Sequence, residues 1–257
     1  MVARDLNQAV REVCLWLPES EEFLSHGSPN FRVRGKTFAT FSVNHHGDGR
    51  VALWLNAPAG SQEQHVRNEP EHFFVPPYVG PRGWLGVMLD RGLAWMRIAA
   101  LVREAYEKVA PAELSSRIGS TPRFKAPTKK LSASQIDPMK APQARAALKI
   151  LRKMCLDLPE SSEGSQFGHP VWHAGKKTFA IARHDGGRLT ACFWVGVDQQ
   201  GLLTADSRYR IPPYMGHQGW ISLDLGPKSD WAEVEGLMLG SYRHFALKRM
   251  LLQLPAE

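Results

Sequence analysis

His169 and His173 stand four residues apart, a spacing that on a helix would aim two imidazoles at one metal ion. Pro170 and the strand-like residues around them remove that helix, and no cysteine or carboxylate stands beside them at ligand spacing. No metal is expected there. Glu19, Glu21 and Glu22 would need split pKa values to work as an acid–base pair. They follow a helix-ending proline, and a solvated loop is the simpler reading. The sequence contains no phosphate-cradling glycine loop, nucleophile elbow or HExxH helix. The remaining candidates are cations and large rings. Arg32 and Arg34 alternate with Phe31 and Val33, which predicts that they share the outer face of one strand. Lys36, Lys176 and Lys177 stand at predicted hairpin turns, where cations suit phosphate contacts. Trp54, Trp84, Trp194 and Trp220 are candidates to line a pocket for a planar ligand, and Trp84 and Trp220 also to stack on a base.

The elements that must position these residues emerge when the chain is compared with itself. Cys14-Leu-Trp-Leu-Pro-Glu-Ser20 recurs as Cys155-Leu-Asp-Leu-Pro-Glu-Ser161, and Lys36-Thr-Phe-Ala39 as Lys177-Thr-Phe-Ala180. Pro76-Pro-Tyr-Val-Gly-Pro-Arg-Gly-Trp84 is matched by Pro212-Pro-Tyr-Met-Gly-His-Gln-Gly-Trp220, and Trp95 and Tyr106 by Trp231 and Tyr242. The order is kept and the offset drifts by about five residues, as short loop deletions would produce. The chain is a duplication: residues 1–115 and 144–257 are the copies, and 116–143 a basic, proline-rich linker. An inherited catalytic set should recur in both copies. The histidines do not: His26 aligns with Phe167, His169 with Ser28 and His217 with Pro81. No enzyme is expected, and no cofactor.

Each copy reads the same way. Leu6, Ala9, Val10, Val13, Cys14 and Leu17 form one helical stripe, repeated by Ala147, Ile150, Leu151, Met154, Cys155 and Leu158. Strands are predicted at 31–33, 37–43, 51–55 and 84–89, and again at 171–173, 178–182, 189–195 and 220–225, with Gly35, Gly175, Asp48-Gly49 and Asp185-Gly186 as hairpin turns. Ser61 and Gln64 have capping-box spacing for a short helix, as do Asp230 and Glu233 for the closing helix. The fold class is α+β: two tandem copies of a small domain, each an antiparallel sheet flanked by N- and C-terminal helices.

Charge is distributed unevenly. The net +7 resolves into 12 basic and 13 acidic residues over 1–115, 6 and 1 over the linker, and 14 and 11 over 144–257. The linker cations Arg123, Lys125, Lys129 and Lys130 are candidates to track phosphates. Three cysteines with no CxxC pair fit no disulfide framework, and Cys14 and Cys155, being equivalent, read as small core hydrophobes. Without a signal peptide or an apolar run near 18 residues, a cytoplasmic protein with no membrane association is expected.

On His26-Gly-Ser-Pro-Asn-Phe-Arg-Val-Arg-Gly-Lys-Thr-Phe-Ala39, Gly168-His-Pro-Val-Trp-His-Ala-Gly-Lys-Lys-Thr-Phe-Ala180, the Pro-Tyr turn and the Gly-Trp strand, the sequence resembles the MmcQ/YjbR-like family. The resemblance covers both copies and implies a frataxin-like (CyaY-like) or double-wing fold with a DNA-binding role. Neither first helix carries the acidic stripe that an iron site would need. The expectation is a non-enzymatic DNA-binding monomer with internal pseudo-twofold symmetry, working mainly through phosphate contacts. The alternative is a binder of a small aromatic ligand in tryptophan-lined pockets.

Overall fold

A computed structural model describes residues 4–25, 27–185, 188–226 and 228–255. His26 and Gly186, which enter the expected motif and turn, lie outside them. The chain forms two compact units, the bulk of the first before Ala133 and the bulk of the second from Ala133 on.

In the first unit, Asp5 accepts a hydrogen bond from the Gln8 amide (2.8 Å) and starts α1 (Leu6–Leu15), whose Leu6, Ala9, Val10, Val13 and Cys14 are buried. The chain then runs through β1 (Glu21–Ser25), β2 (Ser28–Val33), β3 (Lys36–Val43), β4 (Val51–Leu55), α2 (Ser61–Asn68), β5 (Phe73–Phe74), β6 (Leu85–Met88), α3 (Trp95–Val109) and α4 (Ala112–Ser115). The sheet is antiparallel, in the order β1-β2-β3-β4-β6-β5.

After α5 (Ala133–Ile136), which has no counterpart among the described residues of the first unit, the second unit repeats this path: α6 (Pro142–Leu156), β7 (Ser161–Gln166), β8 (His169–Ala174), β9 (Lys177–Asp185), β10 (Arg188–Trp194), α7 (Val197–Leu203), β11 (Tyr209–Arg210), β12 (Trp220–Asp224), α8 (Trp231–Phe245) and α9 (Lys248–Leu251). Its sheet order, β11-β12-β10-β9-β8-β7, is that of the first unit. The α+β reading holds in both.

The recurring Lys-Thr-Phe-Ala turns out to be a bulge. Val33 pairs with Lys36 and Arg32 with Thr37, yet Phe31 pairs with Ala39, which leaves Phe38 as the extra residue. Phe179 is extra in the same way between Thr178 and Ala180. A bulge re-aims a side chain, and both rings meet a helix tyrosine edge to face: Phe38 with Tyr106 at 5.5 Å, and Phe179 with Tyr242 at 5.3 Å. Each tyrosine hydroxyl then donates to a proline carbonyl after the first helix, Pro18 (2.6 Å) or Pro159 (2.5 Å). One aromatic pair thus ties the closing helix to the bulged strand and to the end of the opening helix.

Three expectations need correction. Glu21 and Glu22 are not loop residues but begin β1, an edge strand paired to β2. Pairing with an existing strand decides that, so little apolar alternation is needed. Gly60 at φ 80°, not Ser61, occupies the N-cap of α2, and no side chain caps it; the tight turn before the helix requires a positive φ. Asp230 does cap α8, accepting from the Ala232 and Glu233 amides, but the Glu233 carboxylate turns to Arg208 and Tyr209 instead of closing a box.

Residues 116–132 lack regular structure but follow a fixed path on the first unit. Phe124 is buried against Trp16 at 6.1 Å, Arg4 donates to the Lys125 carbonyl, and the Thr128 amide donates to the Arg4 carbonyl (3.1 Å). Further along, Met139 and Ala141 pack on the core of the second unit.

Candidate functional site

The candidate phosphate contacts divide into engaged and open cations. Arg32 lies on β2 with its guanidinium 4.6 Å from the Phe23 ring and 2.7 Å from Glu21. Arg34 does not share that face. The strand ends at Val33, and Arg34 takes the first turn position at φ 48°, with Gly35 at 77°, and pairs with Glu19 at 2.8 Å. Lys36, Lys176, Lys177, Arg123, Lys125, Lys129 and Lys130 are exposed, and among the described residues no ion pair engages their side chains. Two other linker cations are engaged: Arg117 with Glu19 at 3.1 Å and Lys140 with Asp137 at 3.6 Å.

The acids shared by the two copies have structural work. Arg11 of α1 grips Glu22 with two hydrogen bonds (2.7 and 2.9 Å), and Arg152 of α6 grips Glu163 at the same two distances. Arg11 holds the Glu22 carboxyl below the usual carboxylate range. Glu19 and Glu160, at φ 51° and 49°, receive arginines from the far end of their units, Arg117 and Arg249. Each of these carboxylates is held by an arginine of its own unit. Cys14, Cys155 and Cys192 are buried and outside any disulfide, and burial pushes the Cys14 and Cys155 thiols well above the ordinary range. They pack as hydrophobes.

Most of the tryptophan surface is likewise committed. Trp54 is buried edge to face with His45 (4.8 Å). Trp220 is buried beside Phe245, and Trp194 stacks on His244 at 3.4 Å while its indole N–H donates to the Gln218 carbonyl (2.9 Å). Trp84 is half-buried, and its carbonyl, with that of Gly80, accepts from the buried Gln62 amide (2.5 and 2.9 Å). Gln200 does the same for Trp220 and Gly216 (2.6 and 2.7 Å). These glutamines hold the Pro-Pro-Tyr turns in shape, a role that sequence reasoning missed because the residues around them do not match between copies. The rings the turns present outward are Tyr78 and Tyr214, exposed at φ 63° and 70°.

His169 and His173 both lie on strand β8. Elsewhere, Glu69, Glu71 and His72 bring ligand atoms within 4.8 Å of one another, but both Glu69 oxygens already accept from Arg97 (2.5 and 2.6 Å).

The second unit holds a cleft of about 790 Å³ beside β11 and β12, and none of the four tryptophans lines it. Its floor is Leu189, Leu223, Leu225 and Tyr209, and its wall is charged. Asp224 accepts from Arg210 and from Arg188 (2.9 Å), which hold it below the usual carboxylate range. Glu233 accepts from Arg208 (2.9 Å) and from the Tyr209 hydroxyl. Burial and that carboxylate push Tyr209 up to about 12.

Both units are therefore α+β domains of one design, with a six-stranded antiparallel sheet that an opening helix precedes and a closing helix follows in the chain. The YjbR family model matches residues 15–108 and again 156–244, and the chain belongs to the YjbR family as a tandem duplication of its domain. The crystal structure of Deinococcus radiodurans protein DR2400, a DUF419 domain, is similar over 43% of this chain and 82% of that one, at 20% identity and a TM-score of 0.37. No curated protein matches. Among the described residues, no helix is long and apolar enough to cross a membrane.

Proposed function

We propose that the chain is a non-enzymatic DNA-binding protein that works mainly through phosphate contacts. The observation that carries this reading is the run Arg123, Lys125, Lys129 and Lys130, exposed and outside every ion pair of the described residues, on a segment pinned by Phe124 and Arg4. A pinned segment loses less conformational freedom on binding than a loose tether, and cations without carboxylate partners are the ones able to displace counterions from DNA. Fluorescence anisotropy of a labelled duplex at about 50 mM salt tests it. Saturable binding is expected, and unchanged anisotropy would refute it. A second reading, small-molecule binding, is favoured by the cleft of the second unit, which none of these cations lines.

A further inference from the structure

The cleft beside β11 and β12 exists in a form the fold does not require. In the first unit, Phe73 and Phe74 of β5 pair with Val87 and Gly86, and a Cβ on Gly86 would lie 2.5 Å from the Phe74 ring. Ala52 pairs with Met88 there. The equivalent pairings in the second unit are Tyr209 with Leu223, Arg210 with Ser222 and Thr190 with Asp224. An apolar cover of Phe74 and Met88 has become Arg210 and Asp224. Half-buried charges cost desolvation that an apolar cover does not, and the first unit completes the same sheet without them.

The charges are also out of balance in one direction. Each carboxylate of the cleft is engaged by a donor of the chain: Asp224 by Arg188 and Arg210, Glu233 by Arg208 and Tyr209, and Asp230 by the first amides of α8. Lys228 is exposed and in no ion pair among the described residues. Arg188, one of whose nitrogens bonds Asp224, keeps 68% of its side chain exposed. What the cleft has left over is donor capacity, beside a floor of Leu189, Leu223 and Leu225.

We infer that this cleft binds a small organic oxyanion, a carboxylate or phosphate monoester on an apolar body. The oxyanion meets Arg188 and Lys228, and the body lies on the leucines. The inference rests on the small-molecule reading and is independent of DNA binding.

Calorimetric titration of the full chain with benzoate, phenyl phosphate, inorganic phosphate and benzylamine tests it. Benzoate, phenyl phosphate or both should bind saturably at one site. The tighter of the two identifies the headgroup. Benzylamine, with the same ring and opposite charge, should not bind, and inorganic phosphate should bind at least about tenfold more weakly than phenyl phosphate. Arg188→Gln with Lys228→Gln should weaken oxyanion binding by about tenfold or more, with the salt dependence of DNA binding unchanged and the fold retained, because Asp224 keeps Arg210 as a donor when the largely exposed Arg188 pair is lost. Binding of benzylamine as tight as that of benzoate would overturn the inference, as would no saturation by either aromatic oxyanion. Oxyanion binding unaffected by the double variant would leave small-molecule binding standing and remove it from this cleft.

Discussion

At the scale of single residues, the matched positions of the two copies are joints of the fold. Tyr106 and Tyr242 each spend a buried hydroxyl on one proline carbonyl. Tyr106→Phe and Tyr242→Phe should each lower stability in urea denaturation by about 1–2 kcal/mol, since the carbonyl loses its donor inside the protein. Gln62→Leu should cost about 2–3 kcal/mol, because two carbonyls lose theirs. Glu22 supplies a pH dependence. Arg11 lowers its pKa in the folded chain, so the pair stabilises the fold above about pH 4.3, the ordinary value of an unfolded Glu. That contribution is lost as pH falls through the lowered value. Urea midpoints measured between pH 5 and pH 3 should fall less steeply in Glu22→Gln than in the parent. The tyrosines were legible in the sequence because they recur. Gln62 and Gln200 were not, because a buried amide reaching two carbonyls leaves no periodic trace and its neighbours differ between copies.

At the scale of elements, apolar stripes mark the helices and alternation marks the central strands, and both stand close to where the sequence puts them. The edge strands were not legible. Ser161-Ser-Glu-Gly-Ser-Gln166 has no apolar alternation, and it becomes β7 only because β8 offers it a partner along its whole length. Phe38 and Phe179 gave a repeated motif without its meaning, since a bulge is set by the register of two strands and not by one. The β2–β3 turn makes a prediction at this scale. Arg34 and Gly35 both have positive φ, the pattern of a type I′ turn, which prefers Asn-Gly. Arg34→Asn should raise stability by up to about 0.5 kcal/mol, because the strain it relieves slightly exceeds the exposed ion pair with Glu19 that it gives up. A drop in the urea midpoint would show that this ion pair matters more than the turn.

At the scale of the whole chain, net charge alone suggests a basic protein, whereas the structure sorts its cations by what they do. The arginines on the sheets and helices are largely bound to carboxylates of their own unit, and the open cations include four in the segment that follows α4 and three at the hairpin turns. If all six linker cations met duplex phosphates, log K would fall with log salt at a slope of about −5. With Arg117 and Lys140 engaged by Glu19 and Asp137, four remain, and their share is about −4. The excess was legible from segment counts. Which cations were free to act was not, because Glu19 and Arg117 lie 98 residues apart in sequence. The most direct measurement is the salt dependence of duplex binding for the parent and for the variant with Arg123, Lys125, Lys129 and Lys130 changed to Gln. The parent slope should be at least as steep as about −4, and the variant shallower by about 4. Equal slopes in the two proteins would contradict the assignment of phosphate binding to this segment.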